Sequence, residues 1–594
     1  MKKWVIKNYK WMLIIAIILF GIFLRSYEFS NWLHFELDQS RDAKVIDLAV
    51  KEGPGYLPLL GPRAGGTFLR LGPVFYYMEY LSALVFGDTP AGIAMVVLLF
   101  AIASIPLFYF LCREYFNQKI SLFLTAVFTL SFYLIAYSRF AWNPNTVPFF
   151  TILIFLSMIK VSNSDEKRKD IWAYILAASL AMTFQLHFLF MLASGMFFII
   201  FFAISRPKLK IKTWAICAAI FLLINLPMII NDIKTGGKNF QEFFGAVTSK
   251  SETSKKNNFL IKKIYRDFSE HSAKYSLILL GNEQLDLTAI KFSENKWYKP
   301  KLVCKDECAK NLPMEILGMI IFAGGSGLLI YRFKREKDDK RKKFLMANII
   351  YLGVVFAVFI PLALYLSPRF FIVSAIMPFI FLGLFLEFID SKNLRFKNWI
   401  IAGIVLAIIL SNLYFVRQYF TLLKNAPTEP MAVNTDLFVD ESAVITLQQQ
   451  KIIDEYIKGF YEKNRFPVYI SSDPRHERAL LYHLERWGVK QNNLNDNSTV
   501  YRNGNYFLIY PTLSNSETEK KKFADKFITK EVKEFGSLTV FHIIPKEEAV
   551  EAEEQTIKSV ISSSKIGTEQ YPRRYRWNEI FKSNDFYFER DVEE

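Results

Sequence analysis

Residues 72–87 read GPVFYYMEYLSALVFG, and the fold turns on whether this stretch crosses a membrane or lies along its edge. It is apolar, but at about 16 residues it is short beside the ~17–25 that a crossing helix needs. Glu79 interrupts it, and Tyr76, Tyr77 and Tyr80 give it a composition that suits the polar boundary of a bilayer. The stretch is therefore predicted to be an interfacial helix. Reading it as a span reverses the side of every later loop, so the charges of those loops test the assignment.

Working outward, apolar runs predict about eleven transmembrane helices, near 11–27, 91–112, 119–138, 146–161, 171–186, 188–204, 213–230, 314–331, 344–366, 371–388 and 399–418. The first run follows Lys2, Lys3, Lys7 and Lys10 and has no small-residue cleavage site after it, which makes it a retained anchor. With the N-terminus inside, the inner segments 1–10, 113–119, 160–170, 206–212, 332–343 and 390–398 are all net positive and together hold about +17, the whole formal charge of the chain. The expected location is the cytoplasmic membrane, with the N-terminus inside and the C-terminal region outside. A net charge of +17 otherwise suggests nucleic-acid binding, but topology accounts for it, and the C-terminal region mixes both signs without a basic stripe.

Four regions are not plain spans. The first outer loop, 28–90, contains the interfacial stretch and the Gly/Pro-punctuated EGPGYLPLLGPRAGG. A second outer loop, 231–313, has the mixed polarity of a lid or of further interfacial helices. From about 419 the pattern turns soluble: a helix at 443–463, a strand PVYIS, a helix at 476–487, a strand NYFLIYP, a helix at 516–529 and a strand SLTVFHII. This alternation predicts a small α/β domain over 419–545 outside the membrane. Residues 546–594 begin on an acidic linker and end in a charged, aromatic tail with no placement. The expected fold is thus a polytopic α-helical membrane protein, 1–418, with a C-terminal extracytoplasmic α/β domain.

Cys112 and Cys217 fall in apolar runs and are read as packing residues. Cys304 and Cys308 stand in CKDEC on an outer segment, where they are either two free thiols or a short-loop disulfide. No further Cys or clustered His stands near enough in sequence to complete a zinc site.

The chemistry concentrates just past the first span, in LHFELDQSRDA, residues 33–43. Glu36, Asp38 and Asp42 with Arg41 either solvate an outer loop or form an acid–base cluster, since in a helix Asp38 and Asp42 share a face at i, i+4. The order of motifs favours the second reading: one span, DQSRDAKVIDLAVKEG, LLGP, LRLGPVFYYMEYLSALVFG, a span ending LFYFLCREYF and, much later, SPRFFIVSAIMPFI. This order resembles the type-C glycosyltransferases that use polyprenyl-phosphate sugars, in the branch of protein O-mannosyltransferases and lipid A aminoarabinose transferases. The resemblance covers about residues 1–418.

The resemblance implies that Asp38 is the general base and that Arg41 and Ala43 hold their family positions. Gln39 stands where the family's acidic pair has Glu, and Asp42 where Tyr is common. With one carboxylate missing from the pair, a divalent cation is left uncommitted, Glu36 and Asp42 being the residues that would replace it. The implied partners are a polyprenyl-phosphate-linked sugar donor, membrane lipids, and an acceptor hydroxyl on a glycan, lipid or protein, with no nucleic acid. Arg70, before the Pro of LRLGP, and Arg369 in SPRFF are candidates for the donor phosphate, alternatively interfacial arginines that snorkel. Arg139 and His187 are weaker candidates for the same task. A transporter or lipid flippase is the competing class, and it calls for ionisable residues at mid-membrane that the predicted spans lack. Within the enzyme class, a glycan ligase or polymerase is the alternative.

Overall fold

The computed structural model describes residues 2–65, 67–163, 166–248, 260–281, 289–293, 296–303, 308–431, 445–513, 516–553 and 573–581. Its helices are α1 (Lys2–Ser26), α2 (Leu37–Glu52), α3 (Val74–Phe86), α4 (Pro90–Arg113), α5 (Gln118–Leu130), α6 (Phe132–Tyr137), α7 (Val147–Ser162), α8 (Lys169–Leu186), α9 (Phe188–Ser205), α10 (Ile211–Lys234), α11 (Lys238–Thr248), α12 (Leu260–Leu280), α13 (Cys308–Met319), α14 (Gly325–Arg335), α15 (Asp339–Phe359), α16 (Met377–Asp390), α17 (Lys397–Asn425), α18 (Leu447–Asn464), α19 (Pro474–Arg486), α20 (Ser516–Phe523) and α21 (Trp577–Phe581). The strands among the described residues are β1 (Ala289–Ser293), β2 (Lys296–Val303), β3 (Val468–Ser472), β4 (Gln491–Asn493), β5 (Asn505–Pro511), β6 (Phe527–Phe535) and β7 (Leu538–Pro545).

Helices occupy all eleven stretches expected to span. Among the described residues, seven helices are long and apolar enough to cross a membrane, and the pair Pro368–Ser374 and Met377–Asp390, bent by 56°, makes an eighth if it is one span. The others fall short for local reasons. Residues 119–138 break at Ser131, whose hydroxyl donates to the carbonyl of Ile278, so α5 and α6 are two short helices. The stretch 72–87 is α3, a helix of 13 residues. A continuous apolar core runs through the bundle, with Phe108, Phe128, Phe155, Phe197, Tyr351 and Phe379 inside it.

The basic loops gather at one end of the bundle. Lys160 and Lys340 both pair with Glu114 at 2.9 Å, Lys343 reaches the carbonyl of Ser162, Thr213 bonds Asp170, and Lys119 bonds Asn398. Segment 28–90, the α8–α9 junction, the C-terminal end of α10 and the C-terminal domain are joined by contacts of their own away from these loops. Residues 61–71 fold back as a hairpin, with Gly61 N–H donating to Leu71 O and Ala64 N–H to Leu69 O, both at 2.8 Å.

Two expectations change. The loop 231–313 is expected to be a lid or interfacial helices, and its α12 is buried along most of Asp267–Leu279 within the bundle. It carries its polar residues inward by pairing them: Glu270 with Arg266 and Lys274, Asp267 with His271. The helix expected over 516–529 stops at Phe523, and β6 follows. That strand lies at the sheet edge, where the charges of KEVKE are exposed and shield it from further pairing. The five-stranded sheet has the order β4-β3-β5-β7-β6, with β3 parallel to β4 and β5, and β7 antiparallel to β5 and β6. Cys304 and the side chain of Cys308 lie outside the described residues.

Candidate functional site

The site begins with the start of α2. Glu36 is the N-cap, and Gln39 at the third helical position turns its side-chain oxygen back to the Glu36 N–H, 3.1 Å away. Gln39 thus closes the helix end. Asp38 falls in the first turn, where a carboxylate is favoured by the amide ends of the helix.

Arg41 then spans two carboxylates. Its Nη1 is 2.8 Å from Asp38 Oδ1, while Nε and Nη2 reach Asp42 Oδ1 at 2.8 and 2.7 Å. The two acids differ sharply in exposure, 43% for Asp38 and 3% for Asp42. Asp42 thus anchors the guanidinium from below, and Asp38 is the carboxylate presented to the outside.

Beneath them lies Glu79 of α3, fully buried, with both carboxyl oxygens lacking a hydrogen-bond partner among the described residues. Burial raises its pKa well above the usual carboxylate range, the charge of Asp42 adds to the rise, and Arg41 opposes it. Glu79 is therefore a carboxyl group held toward its protonated form under the Arg41–Asp42 pair. Its signal was legible, as a lone acid in an otherwise apolar helix, although the sequence reading used it only to place α3.

Glu36 meets two imidazoles. His34 Nδ1 is 3.8 Å and His476 Nδ1 3.5 Å from Glu36 Oε1, the second arriving from α19 of the C-terminal domain. Burial lowers the pKa of His34 to about 3, with His476 adding to the fall and Asp38 opposing it. Burial also lowers that of His476 to about 4. Both rings are neutral near pH 7. Neither histidine was singled out from sequence, because 442 positions separate them and only the fold brings them to one carboxylate.

The arginine candidates separate. Arg70 is 5% exposed on the hairpin that leads into α3, its backbone clamped by Asn239, which accepts from Arg70 N–H at 2.9 Å and donates to Arg70 O at 3.2 Å. Arg369 opens the turn Pro368–Ser374 and lies near His187, whose pKa falls to about 4 through burial and then through the Arg369 charge. His187 Nδ1 also accepts from Phe190 N–H at 3.4 Å, capping α9. Arg139 departs from its expected role: its guanidinium donates to the carbonyls of Leu24, Arg25 and Tyr27, so it anchors the end of α1. Among the described residues, no group of three or more His, Cys, Asp or Glu is placed to hold a metal ion.

Residues 71–230, from the start of α3 to α10, match the family model described as dolichyl-phosphate-mannose-protein mannosyltransferase. No curated protein matches the chain. Among solved structures, that of ArnT from Cupriavidus metallidurans in the apo state is 11% identical, with 91% of this chain and 98% of that one covered and a TM-score of 0.49. The same protein bound to undecaprenyl phosphate is 10% identical, with 90% and 98% covered and a TM-score of 0.46. Over residues 71–230 the family match agrees with the resemblance read from the order of motifs.

Proposed function

We propose that the protein moves a sugar from a polyprenyl-phosphate donor to a hydroxyl acceptor at the outer face of the cytoplasmic membrane, with Asp38 as general base. The observation that carries this reading is the graded pair on α2: Asp42 buried under Arg41, and Asp38 held by the same guanidinium yet open to solvent. The acceptor hydroxyl gives its proton to Asp38 while its oxygen bonds the anomeric carbon. The bond from that carbon to the phosphate oxygen breaks, and its electron pair leaves with the phosphate. Phosphate is a good leaving group, so a second carboxyl to protonate it is dispensable, and one displacement inverts the anomeric centre.

A place for the donor's lipid chain supports the reading. A cavity of about 390 Å³ between α8, α9 and α10 is lined by Leu176, Leu180, Phe198, Phe202, Trp214 and Phe221. Phe184, also in its lining, accepts a hydrogen bond from Gly72 N–H at 3.4 Å, two residues beyond Arg70. A prenyl chain in this cavity brings its phosphate toward the arginine hairpin, where a guanidinium fork suits phosphate oxygens. The acceptor is a glycan, lipid or protein hydroxyl.

The test is Asp38→Asn, which is expected to insert and fold normally while reducing transfer by about 100-fold or more. Activity near wild type in purified, folded protein would overturn the role of Asp38, and an equal loss in Asp42→Asn with Asp38→Asn active would move the base there. The outer location of the C-terminal domain is tested by Glu462→Cys in a cysteine-free background, which should react with a membrane-impermeant thiol reagent in intact cells.

A further inference from the structure

The sequence RRYRWNEIF, residues 573–581, belongs to the tail that sequence alone leaves without a task. In the structure it returns to the first outer loop. Leu59 N–H donates to Tyr575 O at 2.8 Å and Trp577 N–H to Leu57 O at 3.2 Å, and Pro58 and Arg576 form an antiparallel bridge. The other side of the strap is held by α10: the buried Asn231 side chain accepts from Tyr575 N–H at 2.9 Å and donates to Arg573 O at 3.0 Å. The Trp577 indole N–H reaches Tyr77 Oη at 2.9 Å, and that hydroxyl donates to Pro58 O. The Trp577 ring packs on the same apolar cluster as Phe35, Ala43 and Ile46, the residues beneath the α2 site.

Bracketed by these bonds, Arg574 is driven inward. It is 6% exposed, and its guanidinium carbon is 5.9 Å from the ring centre of Tyr76, one turn before Glu79 on α3. The attachment of the strap is also the attachment of the Arg70 hairpin. Next to Asn231, Asp232 accepts from Asn239 N–H, and Asn239 clamps the backbone of Arg70. One helix end therefore holds two chain segments, each carrying a nearly buried arginine. Two guanidinium forks suit a phosphodiester that leaves as a monoester better than one, because the charge on that group grows as the bond to the sugar breaks.

We propose that the strap 573–581 completes the active site and that Arg574 binds the donor phosphate alongside Arg70; this rests on the polyprenyl-phosphate reading above. The experiment uses the full-length protein with Arg574→Gln and Arg574→Lys, and follows transfer against donor concentration together with inhibition by a short-chain polyprenyl phosphate. Arg574→Gln is expected to raise the donor KM and the inhibition constant by about tenfold or more, with lysine restoring part of the loss and the thermal midpoint unchanged. Unchanged constants in Arg574→Gln would overturn the proposal. So would a loss of turnover that tracks a lowered midpoint at constant inhibition constant, which marks a merely structural strap, or a rise confined to the acceptor KM. Asp38→Asn in the same assay keeps the two readings apart: it should bind the polyprenyl phosphate normally and fail to react. A fully active Asp38→Asn would count against the mechanism and not against Arg574.

Discussion

Gln450 of α18 donates from Nε2 to the backbone carbonyl of Phe35, 2.7 Å away, one residue before the cap of the helix that carries Asp38. The C-terminal domain thereby grips the candidate site at its entry. Around this bond, Leu447 N–H donates to Leu33 O, Lys44 pairs with Glu485, and Arg486 bridges Asp47 of α2 and Asp88 beyond α3. Leu447, Ala479 and Tyr482 join the apolar cluster of Phe35, Ala43 and Ile46.

Loosening this grip should misplace Asp38 without unfolding the bundle. Gln450→Ala leaves the Phe35 carbonyl without its buried donor, a cost of about 1–3 kcal/mol. Arg486→Ala removes the partly exposed ion pairs with Asp47 and Asp88. The double variant is expected to reach the membrane at normal levels and to lose about tenfold in turnover, with donor affinity retained. Measurement of kcat beside donor KM checks this, and a loss confined to KM contradicts it.

Acid should weaken the same interface. His34 and His476 are held near pKa 3 and 4, below the ordinary 6.5, facing Glu36, Asp38, Asp473 and Arg475. His483, near 3, faces Lys451 and Arg486. For a base whose folded pKa is depressed, the unfolded form binds more protons between the two values, so stability is full above about pH 6.5 and falls as pH drops toward 4. Thermal unfolding followed from pH 7.5 down to about 4.5 should show a falling midpoint, and His476→Gln should flatten the slope. An equal slope in the variant removes His476 from the effect.

Much of this architecture was legible because membrane topology writes itself into charge and length. The basic loops marked one end of the bundle, and the length of the apolar stretch 72–87 marked α3 as a short helix, with no contact needed. The α/β pattern of the tail was readable from PVYIS, NYFLIYP and SLTVFHII, since buried strands are continuous apolar runs. β6 was not, because FITKEVKEF puts charges on an exposed edge and resembles a helix by composition. The burial of α12 was hidden for a related reason: its acids and bases cancel one another inside the fold, which no hydropathy scale registers. At the site, Asp38, Arg41 and Asp42 are local in sequence and were found. Glu36 with His476, and Arg574 with Tyr76, are contacts across hundreds of residues that carry no local signature.

The arginines should divide by function. Arg70 sits on the hairpin whose Gly72 bonds Phe184 of the apolar cavity, and Arg139 is spent on the carbonyls that end α1. Arg70→Ala is expected to raise the donor KM about tenfold and to slow single-turnover transfer, with lysine restoring part. Arg139→Ala is expected to lower the thermal midpoint while leaving donor affinity intact in the surviving folded fraction. Arg369→Ala, through its proximity to His187, should behave as Arg70→Ala if it meets the phosphate. Unchanged donor kinetics would make it an interfacial arginine.

Glu79 offers the sharpest separation of chemistry from structure. It is a carboxyl group with no exposure, beneath an Arg41 already engaged by two other acids. Its folded pKa is raised, so its contribution to stability is full below the ordinary value of 4.5 and is lost as pH climbs through the folded value. Glutamine keeps the shape and the neutral state and removes the titration. Glu79→Gln is therefore expected to raise the thermal midpoint at pH 8 by about 1–3 °C, to leave it unchanged near pH 4, and to retain transfer within about threefold of wild type across this range. Glu79→Lys puts a cation beside Arg41 and should abolish both folding yield and activity. A loss of about 100-fold in Glu79→Gln, with the midpoint intact, would mean that the buried carboxyl exchanges a proton during the reaction, and would transfer part of the base's work from Asp38 to the pair Asp42 and Glu79.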